Sequence, residues 1–370
     1  MKINQFQPYI GNEEYEAIKP CFDDNWITEG KKCKEFSDSL LDLMGAKHGV
    51  FAQNGTLALY LALRAIGIKP NDEVIVPNFT FIASANAVEM CGATPVFVDI
   101  NDQDLQIDIK DCERVLTDKT KAIMPVHIFG MCADMDEVMA FAKKNCLKVV
   151  EDAAQGIKIT WDNQHCGTFG DAGCFSFFAD KTITTGEGGY VATNDEKVYE
   201  NMLYLRNQGR LKRGSFIHPE IGYNFRITDI QAAIGLVQMG KLNEITDKKK
   251  RILNLYKDQL SSVDQIRIVE PSSTSKSNHI PFRVVIMCDE KTDGLTNHFA
   301  KNQIETRSVF YPLHKQPCYS SKFSFSDEDF PNSIKAYEYG LCLPSYPALE
   351  DEKIKFICDM AKEYFNNERS

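Results

Sequence analysis

Short apolar runs alternate with helical patterns over the first two-thirds of the chain. Six runs are nearly continuous in apolar residues, as is typical of strands buried on both faces. These runs are 73–77, 94–100, 121–130, 147–154, 172–178 and 189–195. Apolar residues recur at helical spacing between them, at 56–67, 83–92 and 134–146. The alternation predicts a mostly parallel sheet with helices on both faces.

The last third has a different pattern. A long helical segment runs from about Thr228 to about Leu260, with Thr228 or Asp229 as its cap. Strand-like runs at 282–287 and 305–310 are mixed with helices and predict a smaller α/β unit. We therefore expect a large domain over residues 1–250 and a small C-terminal domain over residues 251–370.

Composition narrows the class of protein. The 370 residues carry 42 Lys and Arg against 52 Asp and Glu, a net charge of −10, and such an acidic chain predicts neither nucleic acid nor a membrane surface as partner. No apolar run is long enough to span a bilayer, and the start lacks a signal-like apolar region. The twelve cysteines form no CxxC pair, so we expect free thiols in a reduced, cytoplasmic protein.

Polar residues stand where the predicted strands end, and open parallel sheets bind ligands at that edge. Asp152 ends a buried run, so its carboxylate is either a structural cap or ion pair, or it faces a cationic ligand. Gly55 and Thr56 begin a strongly apolar helix. The free N–H groups of that helix either form a simple N-cap or bind a phosphate.

Lys181 follows the strand that ends near Phe178 and precedes the glycine-rich segment 184–189. A lysine at this place commonly caps a strand, but in a desolvated pocket its amine loses proton affinity and can form a Schiff base with an aldehyde. An amine, a carboxylate and a phosphate site in one pocket are the set that pyridoxal phosphate (PLP) needs.

Two other classes of enzyme have less support. The seven histidines are scattered without an HExxH motif, so no metal site is expected. No GxGxxG motif follows an early strand, which weighs against a Rossmann dehydrogenase.

Several long stretches resemble the nucleotide-sugar aminotransferases of the DegT–StrS group, and the resemblance extends from about Trp26 to the last helix. The matching stretches are 54–63, 76–88, 124–130, 151–155, 170–189, 222–235 and 306–319. The resemblance implies the PLP-dependent transferase fold of type I, as in aspartate aminotransferase. Within the group, 176–189 and 309–314 look closest to the perosamine synthases, which aminate C4 of a GDP-linked 4-keto-6-deoxy sugar.

The resemblance also implies a role for each matching residue at the cofactor. Lys181 stands where the family carries its Schiff-base lysine, and Asp152 stands where a carboxylate pairs with the pyridinium nitrogen. The remaining contacts, to the phosphate, the ring face and the ring hydroxyl, are expected from Gly55, Thr56, Ser176, Phe81 and Gln155.

Other matching residues concern the substrate and the partner subunit. Asn224 matches an asparagine that reaches the phosphate from the neighbouring subunit, which implies a homodimer with shared active sites. His314, Arg226 and Tyr311 match positions on the sugar side.

The implied reaction is transfer of an amino group from L-glutamate to a nucleotide-linked 4-keto-6-deoxy sugar for glycan synthesis, with the cofactor alternating between PLP and pyridoxamine phosphate. Relatives with histidine in place of Lys181 are dehydratases or deoxygenases, so the lysine favours transamination. Amination at C3, a UDP- or dTDP-sugar, a dehydratase and a non-catalytic PLP-binding sensor stay open as alternatives. The pair Ala179–Asp180 departs from the Gly-Asn or Pro-Thr expected there and could adjust the pocket.

Overall fold

The structure, a computed structural model, describes residues 2–210, 214, 216–273 and 276–367. Two residues of the polar segment 271–279, Thr274 and Ser275, lie outside the described residues. The strands are β1 (His48–Ala52), β2 (Glu73–Pro77), β3 (Thr94–Val98), β4 (Thr120–Ile123), β5 (Lys148–Asp152), β6 (Thr160–Trp161), β7 (Gln164–His165), β8 (Ala172–Ser176), β9 (Gly189–Thr193), β10 (Ile266–Ile268), β11 (Val284–Cys288), β12 (Arg307–Ser308) and β13 (Gly340–Leu343).

The α-helices connect and cover these strands. They are α1 (Asn12–Asp23), α2 (Lys31–Met44), α3 (Gly55–Ala65), α4 (Ala83–Met90), α5 (Ile109–Arg114), α6 (Met135–Lys144), α7 (Glu196–Arg206), α8 (Asp229–Leu260), α9 (Asp293–Lys301), α10 (Pro317–Ser320), α11 (Pro331–Tyr339) and α12 (Asp351–Asn367). Short 3-10 turns lie at Ile128–Gly130, Leu313–Lys315 and Asp327–Asp329.

The central sheet has seven strands in the order β1-β9-β8-β5-β4-β2-β3. The pairs from β8 through β5, β4 and β2 to β3 are parallel, whereas β9 runs antiparallel to both β1 and β8. Every residue of β8 and β9 is buried, as two covered faces require. The α/β architecture with a mostly parallel sheet is confirmed.

The expected strand at 121–130 is shorter than its apolar pattern suggested. β4 ends at Ile123, and Ile128–Gly130 forms a 3-10 turn instead. Pro125 offers no N–H to a neighbouring strand, and Phe129 has a φ of 57°. One isolated bridge still pairs Val126 with Asp152 of β5, and the chain then leaves the sheet, which places Phe129 in the lining of the cavity at its carboxyl edge.

A second sheet of four strands has the order β10-β11-β13-β12, and its pairs are antiparallel. The helix α8 joins the two parts of the core: Leu242 and Ile245 pack with Phe36 and Phe175, whereas its later residues pack with the second sheet. The division of the chain at residue 250 falls inside this helix and stays a prediction.

Two expectations about the chain as a whole can be compared with the structure. All twelve cysteines lie within the described residues, and each is a free thiol. Among the helices of the described residues, none is both long and apolar enough to cross a membrane.

Candidate active site

A cavity of about 510 Å³ lies at the carboxyl edge of the central sheet, where residues of the second sheet cover it. The ends of β5 and β8, the start of α3 and the loop after β2 form one side. Seven of the residues expected at the cofactor line this cavity. They are Gly55, Thr56, Phe81, Asp152, Gln155, Ser176 and Lys181.

Lys181 lies in the turn that follows β8. Its side chain is 16% exposed, and its Nζ lies 4.5 Å from the centre of the Phe282 ring. Burial lowers the pKa of Lys181 below the ordinary value of 10.5, while the charges of Asp180 and Asp152 act in the opposite direction. Lys181 is therefore an amine with weakened proton affinity beside the cavity, which is the state that a nucleophilic or basic lysine needs.

Asp152, the last residue of β5, forms part of the cavity wall and is buried. Its Oδ2 accepts a hydrogen bond from the Ser84 hydroxyl at 2.7 Å, and its Oδ1 accepts one from the Ala154 N–H at 3.1 Å. Burial raises the pKa of Asp152, and the two hydrogen bonds and the charge of Lys181 oppose that rise. A cationic N–H in the cavity would stabilise the ionised carboxylate further.

The start of α3 has the properties of an anion site. Asn54 caps the helix by accepting the Leu57 N–H at 3.0 Å, while the N–H groups of Gly55 and Thr56, the first two helical residues, have no intrahelical acceptor. A Cβ on Gly55 would lie only 2.9 Å from the Cβ of Ser176. Glycine therefore permits the helix start and the Ser176 hydroxyl to approach each other, and together they suit a phosphate.

Gln155 and Phe81 complete the expected cofactor contacts. The Gln155 Oε1 accepts the Phe129 N–H at 2.6 Å, which leaves the amide NH₂ as a donor for a ligand. Phe81 lines the cavity with a ring that is 59% exposed, so its face is open to a flat ligand.

The cavity also contains charged and aromatic residues that sequence reasoning did not assign. Asp180 binds Arg283 through Oδ2 and Nη2 at 2.6 Å, and Arg307 lines the cavity nearby. Phe282 and Phe310 add aromatic walls. The departure of Ala179–Asp180 from the family pattern was one sequence signal for these additional residues. Arg283, which stands within the apolar run 282–287, was a second signal. The sequence did not identify Asp180 as its partner, because Asp180 is distant in sequence.

Four other expected site residues lie outside the lining of this cavity. His314 is buried, with Nε2 at 3.0 Å from the Asp327 carboxylate. Tyr311 packs edge-on against Tyr337, and Arg226 lines a second cavity, described below. The side chain of Asn224 is exposed. Their roles stay predictions.

The donor set fits PLP. A buried carboxylate suits a pyridinium, an amine of lowered pKa suits the aldehyde, and a helix start with two free N–H groups beside a hydroxyl suits the phosphate. We expect Asp152, Lys181, Gly55, Thr56 and Ser176 to hold these three groups.

The fold and this cavity define the chain as an α/β PLP-dependent transferase. Its residues 8–362 match the model of the DegT/DnrJ/EryC1/StrS aminotransferase family, and the chain belongs to that family.

Individual relatives agree with the family match. The GDP-perosamine synthase of Escherichia coli O157:H7 is 38% identical over 99% of both chains, and that of Vibrio cholerae is 36% identical over 98% of this chain and 99% of its own. The solved structure of S. venezuelae DesV in complex with a ketimine intermediate superposes with a TM-score of 0.93 at 28% identity, covering 98% of both chains. The protein is thus a PLP-dependent aminotransferase.

Proposed function

We propose that this aminotransferase moves an amino group from L-glutamate to the C4 keto group of a GDP-linked 4-keto-6-deoxy sugar, and that the amino sugar is a precursor of surface glycans. The observation that carries the proposal is the similarity to two GDP-perosamine synthases over nearly the whole chain, combined with a cavity that contains the half-buried Lys181 and the buried Asp152. The retained lysine supports transamination over dehydration.

The residues of the cavity divide the work. PLP, when bound, supplies an electron sink for the negative charge that develops at the carbon bearing the amino group. Asp152 would keep the ring nitrogen of bound PLP protonated, because a buried carboxylate and a neighbouring cation stabilise each other.

Lys181 acts as the base. Because burial lowers its pKa, a larger share of its amine is neutral near pH 7 than for an exposed lysine, and it can take the proton from the α-carbon of the amino donor. The aromatic rings of Phe282, Phe310 and Phe129 around the cavity exclude water from this proton.

We also infer that two copies of the chain form the working unit. Of the nine large apolar side chains of the described residues that are between 47% and 81% exposed, six lie in the segments 22–27 and 216–221, and their burial by a second copy would be favourable. These side chains are Phe22, Trp26, Ile27, Phe216, Ile217 and Ile221. The Asn224 carbonyl accepts a hydrogen bond from Gln53, while its exposed side chain is available to the partner subunit.

The reaction can be tested with purified protein. We expect a visible absorbance band that disappears with glutamate while 2-oxoglutarate forms, and then returns when the keto sugar is added. A panel of GDP-, UDP- and dTDP-linked 4-keto-6-deoxy sugars should give the highest kcat/KM for the GDP form.

Different failures of this experiment have different meanings. A preference for UDP- or dTDP-sugars would overturn the proposed nucleotide only. Protein that binds PLP but makes no 2-oxoglutarate would overturn the aminotransferase reaction with glutamate.

A further inference from the structure

Two cysteines that are distant in sequence meet in the core near the end of β5. Cys132 follows the 3-10 turn Ile128–Gly130, and Cys166, 34 residues later, follows β7. Both side chains are buried, with no more than 1% of either exposed. Their Sγ atoms lie 2.6 Å apart. A disulfide bond is about 2.05 Å long, so the two thiols are close to bonding distance.

Backbone hydrogen bonds and packing hold both thiols in place. The Cys132 N–H donates to the Ser277 hydroxyl at 3.3 Å, and the Cys166 N–H donates to the Ile159 carbonyl at 2.9 Å. The side chains of Ile159 and Trp161 belong to the same apolar cluster as the two cysteines. Because a close-packed core surrounds them, the sulfur atoms have little room to move apart.

A metal ion is the other species that this cluster could bind, because His127 lies within reach of both sulfurs. Two observations weigh against a metal. Two thiolates on one tetrahedral zinc ion lie roughly 3.8 Å apart, since each is about 2.3 Å from the metal, and these sulfurs are closer. Both ring nitrogens of His127 are also occupied: Nε2 lies 2.9 Å from the Glu151 carboxylate, and Nδ1 accepts the Ala133 N–H at 3.2 Å.

We propose that Cys132 and Cys166 form a modification site at which hydrogen peroxide generates an internal disulfide. The Cys132 thiolate attacks one peroxide oxygen, the O–O bond breaks, and the departing hydroxide takes up a proton to leave water and a sulfenic acid. The Cys166 sulfur then attacks the sulfenic sulfur. The S–S bond forms, the S–O bond breaks, and the departing hydroxide takes the Cys166 proton as a second water. The two thiols lose two electrons in all, and the peroxide gains them.

The two thiols are suited to different steps of this reaction. Burial acts to raise the pKa of Cys132, but the hydrogen bond from the Cys166 thiol and the neighbouring His127 lower it below its ordinary value. Burial and the hydrogen bond to Cys132 raise the pKa of Cys166. Because the thiolate is the nucleophile, Cys132 attacks the peroxide first and Cys166 completes the bond.

The disulfide would cross-link two segments that Glu151 already holds. Glu151 contacts His127 on one side and accepts the Gly167 N–H at 2.6 Å on the other. Phe129, which lines the cofactor cavity, lies between His127 and Cys132 in the chain. A cross-link lowers the entropy of the unfolded chain, so the oxidised protein should be more stable. Because both sulfurs are buried, peroxide has to enter during local opening, and oxidation should be slow.

The test is oxidation of the folded holoenzyme by hydrogen peroxide. The protein is then unfolded, its remaining thiols are alkylated, and its peptides are mapped by mass spectrometry. We expect a disulfide between Cys132 and Cys166, with the loss of two hydrogen atoms from the pair. The urea midpoint should be higher for the oxidised than for the reduced protein, and dithiothreitol should reverse both changes. Oxidation of the exposed Cys146 in the same sample shows that the peroxide was active.

Single substitutions provide the controls. Cys132→Ala and Cys166→Ala should each abolish the disulfide and the rise in urea midpoint. Cys112→Ala should keep both, because it removes a buried thiol that donates to the Asp108 carbonyl instead of to another sulfur. The peptide map of the wild-type protein decides the matter even if a variant fails to fold.

Three results would overturn the inference. Cys132 and Cys166 could both remain free thiols although Cys146 is oxidised, or they could be joined only to other cysteines. The reduced wild-type protein could also retain a zinc ion that Cys132→Ala lacks, which would make the cluster a metal site. Failure of the proposed aminotransferase reaction would leave the expected disulfide unchanged, because its formation uses no residue of the cofactor cavity lining.

Discussion

Two cavities of this protein differ in size and in chemistry. The cofactor cavity, of about 510 Å³, contains a buried carboxylate and an amine whose pKa values are shifted by burial. The second cavity, of about 1120 Å³, is bordered by Trp26, Arg206 and Arg226, and Glu29 already pairs with Arg206 at 2.5 Å. The candidate active site is distinguished not by its volume but by an amine and a carboxylate whose pKa values burial shifts in opposite directions.

Of the substitutions that test this difference between the two cavities, removal of the Lys181 amine should have the largest effect on turnover. Lys181→Ala should lower turnover more than about 1,000-fold and abolish the visible absorbance band, because both the covalent attachment and the base are lost. Absorbance spectra and the release of 2-oxoglutarate from glutamate measure the two effects.

Lys158→Ala is the matched control for this variant. Burial also lowers the pKa of Lys158, but this lysine contacts Asn243 and Thr246 and lies away from the cavity lining. Its turnover should stay within about threefold of the wild type. A Lys181→Ala protein that keeps the absorbance band would contradict the role proposed for the lysine.

Loss of the negative charge of the buried Asp152 should have the second-largest effect on turnover. Asp152→Asn keeps the shape of the side chain but removes the charge that stabilises a cation, so kcat should fall about 100-fold. Ser84→Ala removes one hydrogen bond to the carboxylate and should cost less, about threefold to tenfold. Equal losses in the two variants would show that hydrogen bonding, not charge, is what matters at Asp152. The measurement is steady-state kinetics at saturating PLP.

The two sides of the cofactor cavity were not equally predictable from the sequence. Asp152, Gly55 and Thr56 stand at a strand end or a helix start, and a parallel sheet brings such positions to one edge, so local patterns predicted them, whereas Ser176 was expected only from the family resemblance. Arg307 lies in β12 of the second sheet and Arg283 directly precedes β11, both more than 100 residues after Asp180. Their meeting depends on how the second sheet covers the first, and no local pattern encodes that arrangement.

The secondary structure shows the same difference between elements that depend on local sequence and elements that depend on distant contacts. The buried strand β2 has the predicted bounds, because its apolar run is continuous. β1 was missed, since its first two residues are only half-buried and it pairs with β9, which is far away in sequence. Pairing between distant segments is a tertiary effect that periodicity alone does not reveal.

Whether a second subunit supplies Asn224 can be tested by complementation. Asn224→Ala should weaken PLP binding about tenfold, as is typical for the loss of a hydrogen bond to a charged group. The assay uses a PLP concentration near the wild-type Kd, at which Asn224→Ala alone is mostly without cofactor. Protomers of Lys181→Ala and Asn224→Ala, unfolded and refolded together, should then recover about a quarter of wild-type activity, because random pairing makes half of the dimers hybrid and each hybrid has one intact site.

The complementation has its own control. Each variant refolded alone should stay at its own low activity. If mixing restores nothing although hybrid dimers are present, Asn224 does not act across the interface.

Substitution of Lys249 should have the smallest effect on activity. It tests whether a lysine of lowered pKa is catalytic when it lies outside the cavity lining. Burial lowers the pKa of Lys249 to about 7, yet Lys249 lies behind the cofactor cavity rather than in its lining and donates to the Pro281 carbonyl at 3.3 Å. Lys249→Met should leave kcat within about threefold of the wild type.

The effect of Lys249 should instead appear in stability. Between about pH 7 and pH 10 the unfolded chain, with a lysine pKa near 10.4, binds a proton at this position that the folded chain does not, so stability rises with pH in this window. Lys249→Met should make the free energy of unfolding less dependent on pH, by the equivalent of up to about one proton. Urea midpoints of the holoenzyme from pH 7 to 10 measure this dependence. Lys257→Met, on the same helix but paired with Glu270 at the surface, should keep the wild-type slope. An unchanged slope in Lys249→Met would mean that Lys249 stays protonated when folded, and that burial alone does not neutralise a lysine beside Asp180.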